Sequence, residues 1–474
     1  MKSNRRKFLQ YSGLTGVGLA VANMMKSFGA GSVQNTDATI NNLQKKPAAH
    51  FNMCGYAAPK LESVRIGFIG LGNRGPAAVD RINHIEGTQI KALCDIRPEK
   101  AAAVKKSLEG SIHSPEVYTG KEEEWKKLCE RQDIDLVYVA TPWSLHTPIA
   151  VYAMNHGKHV CVEVPAAKTI DECWQLVETS ERTRKNCMIL ENCCYDFFEL
   201  LTLNMARQGL FGEIVHGEGA YNHNLLQGNF SKEKYYKMWR LKENFRNGNL
   251  YPTHGLGPVA QVLNINRGDK MDYLVAMQSN DFMMEKMAND LASKDDFYKP
   301  FANKKYRGNM DITTIRTNKG RTIMLQHDVT SPNIYSRIYK ISGTKGSALK
   351  YPSPERFSFE GEDWLSLTED KKLEDKYKPD IVRRIGLQAK QLGGHGGMDF
   401  LMDWRTIDCL RNGLPLDLNV YDAASWSAVA PLSEWSVANR SNSINFPDFT
   451  AGSWKTNKPA DNTLEKGGTT KVLV

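Results

Sequence analysis

The feature that most constrains the fold of this chain is the segment 64–75, VRIGFIGLGNRG. An apolar run is followed by Gly70, Gly72 and Gly75 in G-x-G-x-x-G spacing, and a helical pattern comes after it. This order predicts a β-strand, a tight turn and a helix N-terminus. The first glycine permits the turn, the second lets the backbone approach a pyrophosphate, and the third lets the helix pack close to the strand. The spacing alone also fits a plain glycine turn, so its context decides between the two.

An acidic residue at the end of the next predicted strand supports dinucleotide binding. The apolar run 89–94 ends in Asp95, twenty residues after Gly75. A carboxylate at this strand tip is placed to accept hydrogen bonds from the two ribose hydroxyls of NAD, and it would repel the additional phosphate of NADP. The N–H groups and the dipole of the helix after the turn favour the negatively charged phosphates. We therefore predict NAD as the cofactor.

Strand-like and helical patterns alternate along residues 63–194. Alternation of this kind predicts a parallel sheet that is covered by helices on both faces, the doubly wound Rossmann arrangement of α/β proteins. We expect the ligands of this N-terminal domain to lie beyond the carboxyl ends of its strands. The predicted strands are 64–69, 89–94, 135–140, 159–163 and 187–191.

The pattern changes in residues 195–440, where longer strand-like runs follow one another. Turn sequences at 317–320 (TNKG) and 343–346 (GTKG) predict hairpins, so we expect a C-terminal α+β substrate domain with a large open, mostly antiparallel sheet. Helical stretches at 398–411 and 421–437 are expected to pack behind this sheet. The predicted strands are 213–222, 272–279, 311–317, 321–330 and 335–342.

The first 31 residues resemble a signal peptide for the twin-arginine export route. Arg5 and Arg6 precede a Phe-Leu pair, a weakly apolar segment follows, and no acid occurs among these residues. Because this route carries folded proteins, a chain that captures NAD in the cytoplasm is expected to keep it on export to the periplasm or the cell exterior. A basic tail before a buried helix is the alternative interpretation. Residues 32–62 are expected to form a linker and residues 441–474 a C-terminal tail.

Composition excludes several other classes of protein. The formal net charge is +9, but five of the basic residues lie in the first 31 positions, and no patch rich in Lys and Arg occurs in the rest of the chain. We therefore expect no nucleic-acid partner and, beyond the signal, no membrane span. The nine cysteines are scattered and form no C-x-x-C pair. This pattern argues against a metal site or a disulfide framework and indicates folding in a reducing compartment.

Polar and aromatic residues follow three of the predicted strands, where a parallel sheet gathers its ligand contacts. The strand 135–140 is followed by Trp143 and His146, the next strand ends in Glu163, and the last is followed by Asn192. Together these residues favour a nicotinamide pocket. Taken singly, Trp143 also fits a capping hydrophobic residue, and His146 also fits a surface or first-turn helix position.

With these motifs the chain resembles the glucose–fructose oxidoreductase-like (Gfo/Idh/MocA) family over roughly residues 63–440. The shared features are the glycine turn, the T-P-x-x-x-H strand end that closes at His146, and an E-x-P strand end. Members of that family usually carry E-K-P, in which the lysine helps to move a proton from the substrate hydroxyl. Here the triplet is Glu163-Val164-Pro165. Valine cannot take a proton, which weakens the interpretation as a simple sugar dehydrogenase.

That departure matches glycoside hydrolase family 109, the NAD-dependent α-N-acetylgalactosaminidases, which the chain closely resembles. The resemblance rests on the glycine turn, the Trp143 to His146 strand end, the EVP triplet and the sequence YPTHG at 251–255, and a twin-arginine start is also common in this family. It implies terminal N-acetylgalactosamine glycans or glycoconjugates as substrates. By this likeness, NAD would contact Asn73, Arg74, Asp95, Trp143, His146, Glu163, Val164 and Asn192. The sugar site would be lined by Tyr221, Arg240, Tyr251, Pro252, Thr253, His254 and Tyr335.

An NAD-dependent glycosidase implies a redox route in place of the usual pair of carboxylates, for which the sequence nominates no candidates. In the redox route NAD takes a hydride from C3 of the sugar, and the resulting ketone acidifies the C2 proton. Elimination then expels the glycosidic oxygen from C1, water adds, and the hydride returns. His254 is our candidate for the base. Tyr251 would be its hydrogen-bond partner or a second proton carrier, and Glu163 would orient the nicotinamide.

The sequence leaves other interpretations open. Aromatic faces and hydrogen-bonding tips suit a sugar, but Tyr221 and Tyr335 also fit ordinary strand positions, Arg240 a surface charge and His254 a structural turn. His395, which glycines flank on both sides, is an unassigned candidate. For the whole chain, the alternatives are a secreted NAD(P)-dependent sugar oxidoreductase and a sugar-binding protein without activity. A homo-oligomer is compatible with the sequence, which does not define the oligomeric state.

Overall fold

The computed structural model describes residues 50–367, 371–461 and 463–473. The predicted signal segment and residues 32–49 of the predicted linker lie outside the described residues. The rest of that linker packs against the body of the protein, since Met53 is buried and its N–H donates to Tyr421 Oη at 3.0 Å. Of the helices in the described ranges, none is long and apolar enough to cross a bilayer.

The N-terminal sheet consists of β1 (Val64–Ile69), β2 (Thr88–Asp95), β3 (Glu116–Thr119), β4 (Leu136–Val139), β5 (His159–Val162) and β6 (Cys187–Ile189). The strands are all parallel, in the order β3–β2–β1–β4–β5–β6, which confirms the doubly wound arrangement. Every residue of β4 and β5 is buried, because helices cover both faces. The short edge strand β3 is not among the predicted strands, since none of its residues is buried. The helices are Gly75–Asn83, Pro98–Ser107, Glu124–Glu130, His146–Asn155 and Ile170–Thr183.

The second sheet has nine strands in the described residues. They are β7 (Ile214–Asn222), β8 (Met271–Gln278), β9 (Asp311–Thr317), β10 (Thr322–Asp328), β11 (Lys340–Gly343), β12 (Gly346–Leu349), β13 (Arg356–Phe359), β14 (Leu365–Ser366) and β15 (Ile444–Asn445). Their order is β14–β13–β12–β11–β7–β10–β9–β8–β15. Within this described sheet only the β7–β10 pair is parallel, so the predicted, mostly antiparallel sheet is confirmed. Both predicted hairpins are present, joining β9 to β10 and β11 to β12.

One predicted strand is too long. The sequence pattern predicts a strand over 335–342, but β11 begins only at Lys340. Ile338 and Tyr339 have φ values of 58° and 46°, and this left-handed conformation interrupts an extended strand. An alternation of apolar residues reports the direction of side chains and carries no signal for such a backbone reversal.

Two long helices late in the chain pack on different parts of the protein. The helix Val420–Ala438 packs on β8 and on the Rossmann helix Ile170–Thr183, and the helix Met398–Asn412 packs on the Rossmann helix Gly75–Asn83. The expectation that both pack behind the second sheet is therefore confirmed for Val420–Ala438 and wrong for Met398–Asn412, which lies against β1 and its following helix. Nearly every residue of each helix is buried, so packing on a single sheet could not cover them. The remaining helices are Phe197–Arg207, Leu226–Asn229, Trp239–Glu243, Thr253–Val262, Met284–Ala292, Lys371–Tyr377 and Asp380–Leu392.

Candidate active site

The glycine turn has the geometry that its spacing predicts. Gly70 has a φ of +94°, and a β-carbon on Gly75 would lie 2.0 Å from Gly70 O, so both positions require glycine. A β-carbon on Gly72 would meet only the flexible end of Arg97, at 3.3 Å. None of the described side chains caps the helix that begins at Gly75, which leaves its first N–H groups available to an anion. These residues therefore fit the pyrophosphate of NAD.

Asp95 ends β2, and its carboxylate is held in a defined orientation. Its Oδ2 accepts a hydrogen bond from the Leu71 N–H at 2.8 Å, and its Oδ1 accepts one from the Arg97 N–H at 2.9 Å. The Arg97 guanidinium also pairs with both oxygens, at 3.0 and 3.2 Å. A carboxylate has about four acceptor sites and these contacts occupy them, so ribose hydroxyls would bind here in place of the Arg97 guanidinium. Arg97 is not among the predicted site residues. The sequence feature that could have identified it is its position two residues after Asp95, the acid at the end of β2.

Arg74 links the predicted cofactor residues to the second domain. Its Nε donates to Glu163 Oε1 at 3.0 Å, and its Nη1 donates to Asp399 Oδ2 at 3.1 Å. The other oxygen of Asp399 accepts from Asn192 Nδ2, and His395 Nδ1 lies 2.9 Å from Asp399 Oδ2. Burial raises the pKa of Asp399, but the hydrogen bond from His395 and the charge of Arg74 outweigh it and hold that pKa well below its ordinary value. The structure thus brings Arg74, Glu163 and Asn192 together and adds His395 to them.

The side chains of His146 and Val164 are buried. His146 Nδ1 lies 2.7 Å from Pro165 O, and its Nε2 lies 2.8 Å from Thr141 O. Burial lowers the pKa of His146, and the two carbonyl contacts oppose this change because they favour the protonated ring. The ring therefore ties together the loops that follow β4 and β5. Its contact with NAD, and that of Val164, stay predictions.

A pair formed by His254 and Glu191 stands at the junction of the two domains. His254 lies in the first turn of the helix Thr253–Val262, and its Nδ1 is 2.7 Å from Glu191 Oε1. Burial raises the pKa of Glu191, but the charge and hydrogen bond of His254 outweigh it, so that pKa is lower than usual. Because a carboxylate can only accept, the neutral His254 ring carries its proton on Nδ1, and its Nε2 is then free to take a proton. The pair therefore has the arrangement of a general base and the group that orients it.

Sequence reasoning did not select Glu191 as a site residue. Its signal in the sequence is its position two residues after β6, because acids also end β2 and follow β5, at Asp95 and Glu163. Pro252 and Thr253 are both buried and lie at the start of the helix that carries His254.

Aromatic rings extend from the cofactor strands to His254. Trp143 stacks on Tyr251 with ring centres 5.5 Å apart, and Tyr221 lies 4.7 Å from Tyr251 and 5.4 Å from His254. We call Trp143, Tyr251 and Tyr221 the aromatic wall. The Arg240 guanidinium lies 5.2 Å from the ring centre of Tyr251 and 5.4 Å from that of Trp143. Burial raises the pKa of Tyr251 well above its ordinary value, so its hydroxyl stays a neutral hydrogen-bond donor.

Tyr335 lies at the edge of the aromatic wall. Its side chain is 38% exposed, and its ring centre is 6.3 Å from that of Tyr221 and 5.1 Å from that of His223. Tyr221 Oη lies 3.2 Å from His223 Nδ1. His223 is a polar neighbour of the site that is not among the predicted residues, although it directly follows β7.

Glu191, Cys193 and His254 each bring one potential metal-ligand atom within 4.8 Å of the others. The surroundings oppose a cation, because Arg337 Nη1 lies 2.8 Å from Cys193 Sγ. Burial raises the pKa of Cys193 well above its ordinary value, and a protonated thiol is a poor ligand. This cluster therefore suits proton transfer better than metal binding.

Comparisons with known families divide the chain in the same way as the two sheets. Residues 64–191 match the model of an oxidoreductase family with an NAD-binding Rossmann fold. Residues 195–456 match the model of the glycosyl hydrolase 109 C-terminal domain, which covers more than half of the chain. The chain therefore carries an NAD-binding domain joined to a glycosyl hydrolase 109 domain.

Individual relatives agree with these matches. The chain is 47% identical over 443 residues to glycosyl hydrolase family 109 protein 1 of Bacteroides fragilis (strain YCH46), covering 90% of this chain and 94% of that protein. It is 45% identical over 472 residues to an alpha-N-acetylgalactosaminidase of Shewanella oneidensis, covering 96% and 98%. Levoglucosan dehydrogenase in complex with NADH and levoglucosan shares the fold, with a TM-score of 0.61, 16% identity and coverage of 81% and 100%. On these matches, the chain belongs to glycosyl hydrolase family 109.

Proposed function

We propose that this protein is an NAD-dependent α-N-acetylgalactosaminidase that releases terminal α-linked N-acetylgalactosamine from glycans or glycoconjugates. The observation that carries the proposal is the His254–Glu191 pair, with Nδ1 and Oε1 2.7 Å apart, beside the aromatic wall. This wall begins at Trp143, after a cofactor strand, so a sugar against it would lie next to the dinucleotide. The Shewanella oneidensis relative, named an alpha-N-acetylgalactosaminidase, supports the choice of sugar.

Bound NAD would supply reversible oxidation at C3 of the sugar, which acidifies the C2 proton and permits elimination of the glycosidic oxygen from C1 before water adds. The residues of the chain move the protons. We assign His254 Nε2 as the base, because Glu191 holds the ring through Nδ1. Tyr251, with its ring centre 4.9 Å from that of His254, is the hydrogen-bond partner or second proton carrier. Val164 stands where related oxidoreductases have a lysine, and it contributes no proton.

The carboxylates near the site support this route over direct displacement. A conventional glycosidase needs one carboxylic acid and one carboxylate on either side of the scissile bond. Glu163 is paired with Arg74, Glu191 is paired with His254, and both acids are buried. Neither acid is therefore free to protonate the leaving group or to attack the sugar.

Turnover in deuterated water tests the elimination step. Loss and return of the C2 proton should place deuterium at C2 of the released sugar, which NMR or mass spectrometry detects. A released sugar without deuterium at C2 would refute the step. Net accumulation of NADH or of an oxidised sugar would instead favour a secreted NAD(P)-dependent sugar oxidoreductase, the second candidate, which the fold shared with levoglucosan dehydrogenase favours.

The substitution His254→Ala tests the assignment of the base. It should abolish hydrolysis while leaving NAD bound, because the side chain lies outside the glycine turn. Loss of the cofactor in this variant would indicate a structural role and contradict the assignment. His216→Ala is the matched control, since His216 lies on β7 and contacts Thr322 Oγ1 at 2.8 Å, outside the predicted site, and its activity should equal that of the unaltered protein.

We also propose export by the twin-arginine route to the periplasm or the cell exterior. The arginines at positions 5 and 6 support it. All nine cysteines are free, and all but Cys54 are buried, which fits folding in the reducing cytoplasm before export. Replacing both arginines with lysine should retain the protein in the cytoplasm, as measured by cell fractionation, whereas unchanged export would refute the route.

A further inference from the structure

A segment of the second domain lies across the carboxyl edge of the Rossmann sheet. We call residues 231–243 the strap. Asn73 Nδ2, in the glycine turn, donates to Lys234 O at 3.0 Å. The Arg97 guanidinium, which pairs with the strand-tip Asp95, lies 5.1 Å from the ring centre of Tyr236. The first half of the strap therefore covers the part of the crevice predicted for the adenosine and pyrophosphate groups.

The second half of the strap covers the other end of the crevice. Trp239 packs edge-on against Trp143, with ring centres 5.4 Å apart, and Arg240 lies over Trp143 as well. Glu243 Oε1 accepts from Lys168 Nζ, in the loop after β5, at 2.7 Å. The strap therefore reaches from the glycine turn to the predicted nicotinamide end, and a dinucleotide in the crevice would lie beneath it.

The strap is anchored on a small hydrophobic core that is separate from the main one. This core consists of Phe230, Met238, Leu241, Met284, Ala288, Tyr298, Phe301 and Tyr306. Tyr298 Oη donates to Phe230 O at 2.7 Å, just before the strap. Lys237 and Met238 both have left-handed backbone conformations, with φ values of 54° and 56°, which turn the chain sharply at the middle of the strap. The strap as far as Met238 thus belongs to a unit that can move with little disturbance of the main core, whereas Trp239 packs against that main core.

The adenosine half of the strap is held to the Rossmann domain by weak, solvent-exposed contacts. Asn73 and Lys234 are exposed, and the ion pair of Lys237 Nζ with Glu122 Oε1 has a separation of 3.6 Å and exposures of 60% and 79%. Exposed pairs of this kind contribute little to stability. By contrast, the contacts that anchor the strap on its own small hydrophobic core are buried. The adenosine half of the strap can therefore open from the crevice while its own core stays intact.

We propose that the strap opens to admit NAD and closes over the bound dinucleotide, so that contacts such as Tyr236 with Arg97 set the rate at which NAD leaves the protein. This inference rests on the NAD binding of the proposed function. A cofactor that is regenerated in each cycle has no need to dissociate, and slow release would let an exported protein keep it. Closure of a segment over a ligand is a common way to make release slow.

The test measures NAD release from the holoenzyme without any glycoside. Protein loaded with NAD is mixed with excess isotopically labelled NAD, and the unlabelled NAD that remains bound is followed by mass spectrometry. Tyr236→Ala should accelerate release by about two- to fivefold, the factor expected for an exposed cation–π contact. Tyr236→Phe keeps the ring face and should release NAD at the unaltered rate. Lys237→Ala should also accelerate release, by up to about fivefold.

The control is Lys299→Ala, which removes the same charge from an exposed pair with Asp296 outside the strap. Its release rate should be unchanged. If Tyr236→Ala does not fold, the Lys237→Ala rate decides the question alone. Unaltered release rates in the strap variants, or equal acceleration in Lys299→Ala, would overturn the proposal. Because the readout is NAD release, a protein without glycosidase activity can still show the expected acceleration, which separates a failed strap from a failed function.

Discussion

Glu191→Gln is the substitution that tests the proposed base most directly. Glutamine has the shape of glutamate but carries no charge. Glu191 Oε1 accepts from the Cys193 N–H at 3.1 Å and lies 2.7 Å from His254 Nδ1. The amide oxygen of glutamine can keep both contacts, so the substitution removes the charge and leaves the position of the His254 ring intact.

The expected effect on the rate follows from the change in the type of hydrogen bond. A hydrogen bond to a charged group contributes roughly 1.5–3 kcal/mol, and a neutral one roughly 0.5–1.5 kcal/mol. The difference of about 1–1.5 kcal/mol is lost when His254 takes up a proton, which corresponds to about a tenfold lower kcat. The amide NH₂ would replace Oε2, which is buried without a hydrogen-bond partner among the described groups. The free energy of unfolding should therefore also fall, by about 1–3 kcal/mol.

The assay is the initial rate on a chromogenic α-N-acetylgalactosaminide at saturating concentration, with bound NAD quantified in each preparation. Glu181→Gln is the matched control, because Glu181 is also a buried acid beside a histidine. Its Oε1 lies 3.0 Å from His50 Nδ1 and accepts a hydrogen bond from Tyr421 Oη at 2.8 Å. None of these three residues belongs to the predicted site. This control should lose stability and keep its kcat. A Glu191→Gln protein with full NAD content and an unaltered kcat would refute the reasoning.

Three further predictions concern the turn, the sugar site and the response to pH. Gly75→Ala should lower the melting temperature by several degrees, because its β-carbon would lie 2.0 Å from a carbonyl oxygen. The β-carbon of Gly72→Ala would meet only a flexible side chain. This variant should therefore melt normally but bind NAD more weakly in titration calorimetry. Equal melting temperatures would contradict this contrast. Arg240→Met should lower kcat/KM by about 10- to 100-fold at full NAD content. The reason is that the guanidinium has no carboxylate partner among the described residues and is available to the sugar. An unchanged kcat/KM would exclude that contact. His159 Nδ1 accepts from the Asn186 N–H, and burial lowers the pKa of His159 from 6.5 to about 4. The unfolded chain therefore binds the proton more readily between these values, so the free energy of unfolding should fall by up to about 3 kcal/mol as the pH drops from 6.5 to 4. In urea titrations the free energy of unfolding of His159→Asn should depend less steeply on pH. An equally steep dependence in the variant would show that other groups cause it.

The parts of the site that lie within one short segment are predictable from sequence. Gly70, Gly75 and Asp95 belong to a single strand–turn–helix–strand unit, and their spacing is set by the geometry of that unit. The glycine conformation at Gly70 and the close approach at Gly75 follow directly from this pattern. The error over 335–342 shows the limit of the same approach, because residue alternation contains no information on the left-handed backbone at Ile338 and Tyr339.

The assignment of the helix near 398–411 to the second sheet failed for a related reason. Helical periodicity identifies the helices near 398–411 and 421–437, but it does not say which surfaces they cover. Both are buried almost all round, and a helix of this kind can pack on any apolar surface, since hydrophobic contacts have no preferred direction. Which sheet each helix covers depends on the shape of the assembled core.

By itself the sequence determined the class of each domain, the cofactor and the family, because all of these depend on contiguous motifs. Only the tertiary structure decided which groups meet. His254 and Glu191 are 63 residues apart in the chain. Asn73, whose side chain donates a hydrogen bond to Lys234 O, is 161 residues from Lys234. Contacts between such distant segments arise from the packing of the complete core, where many small, non-directional contributions decide the outcome. The spacing of residues within one segment carries no information on these contributions. The role of Glu191 in orienting His254, and the strap over the crevice, could therefore be recognised only in the folded chain.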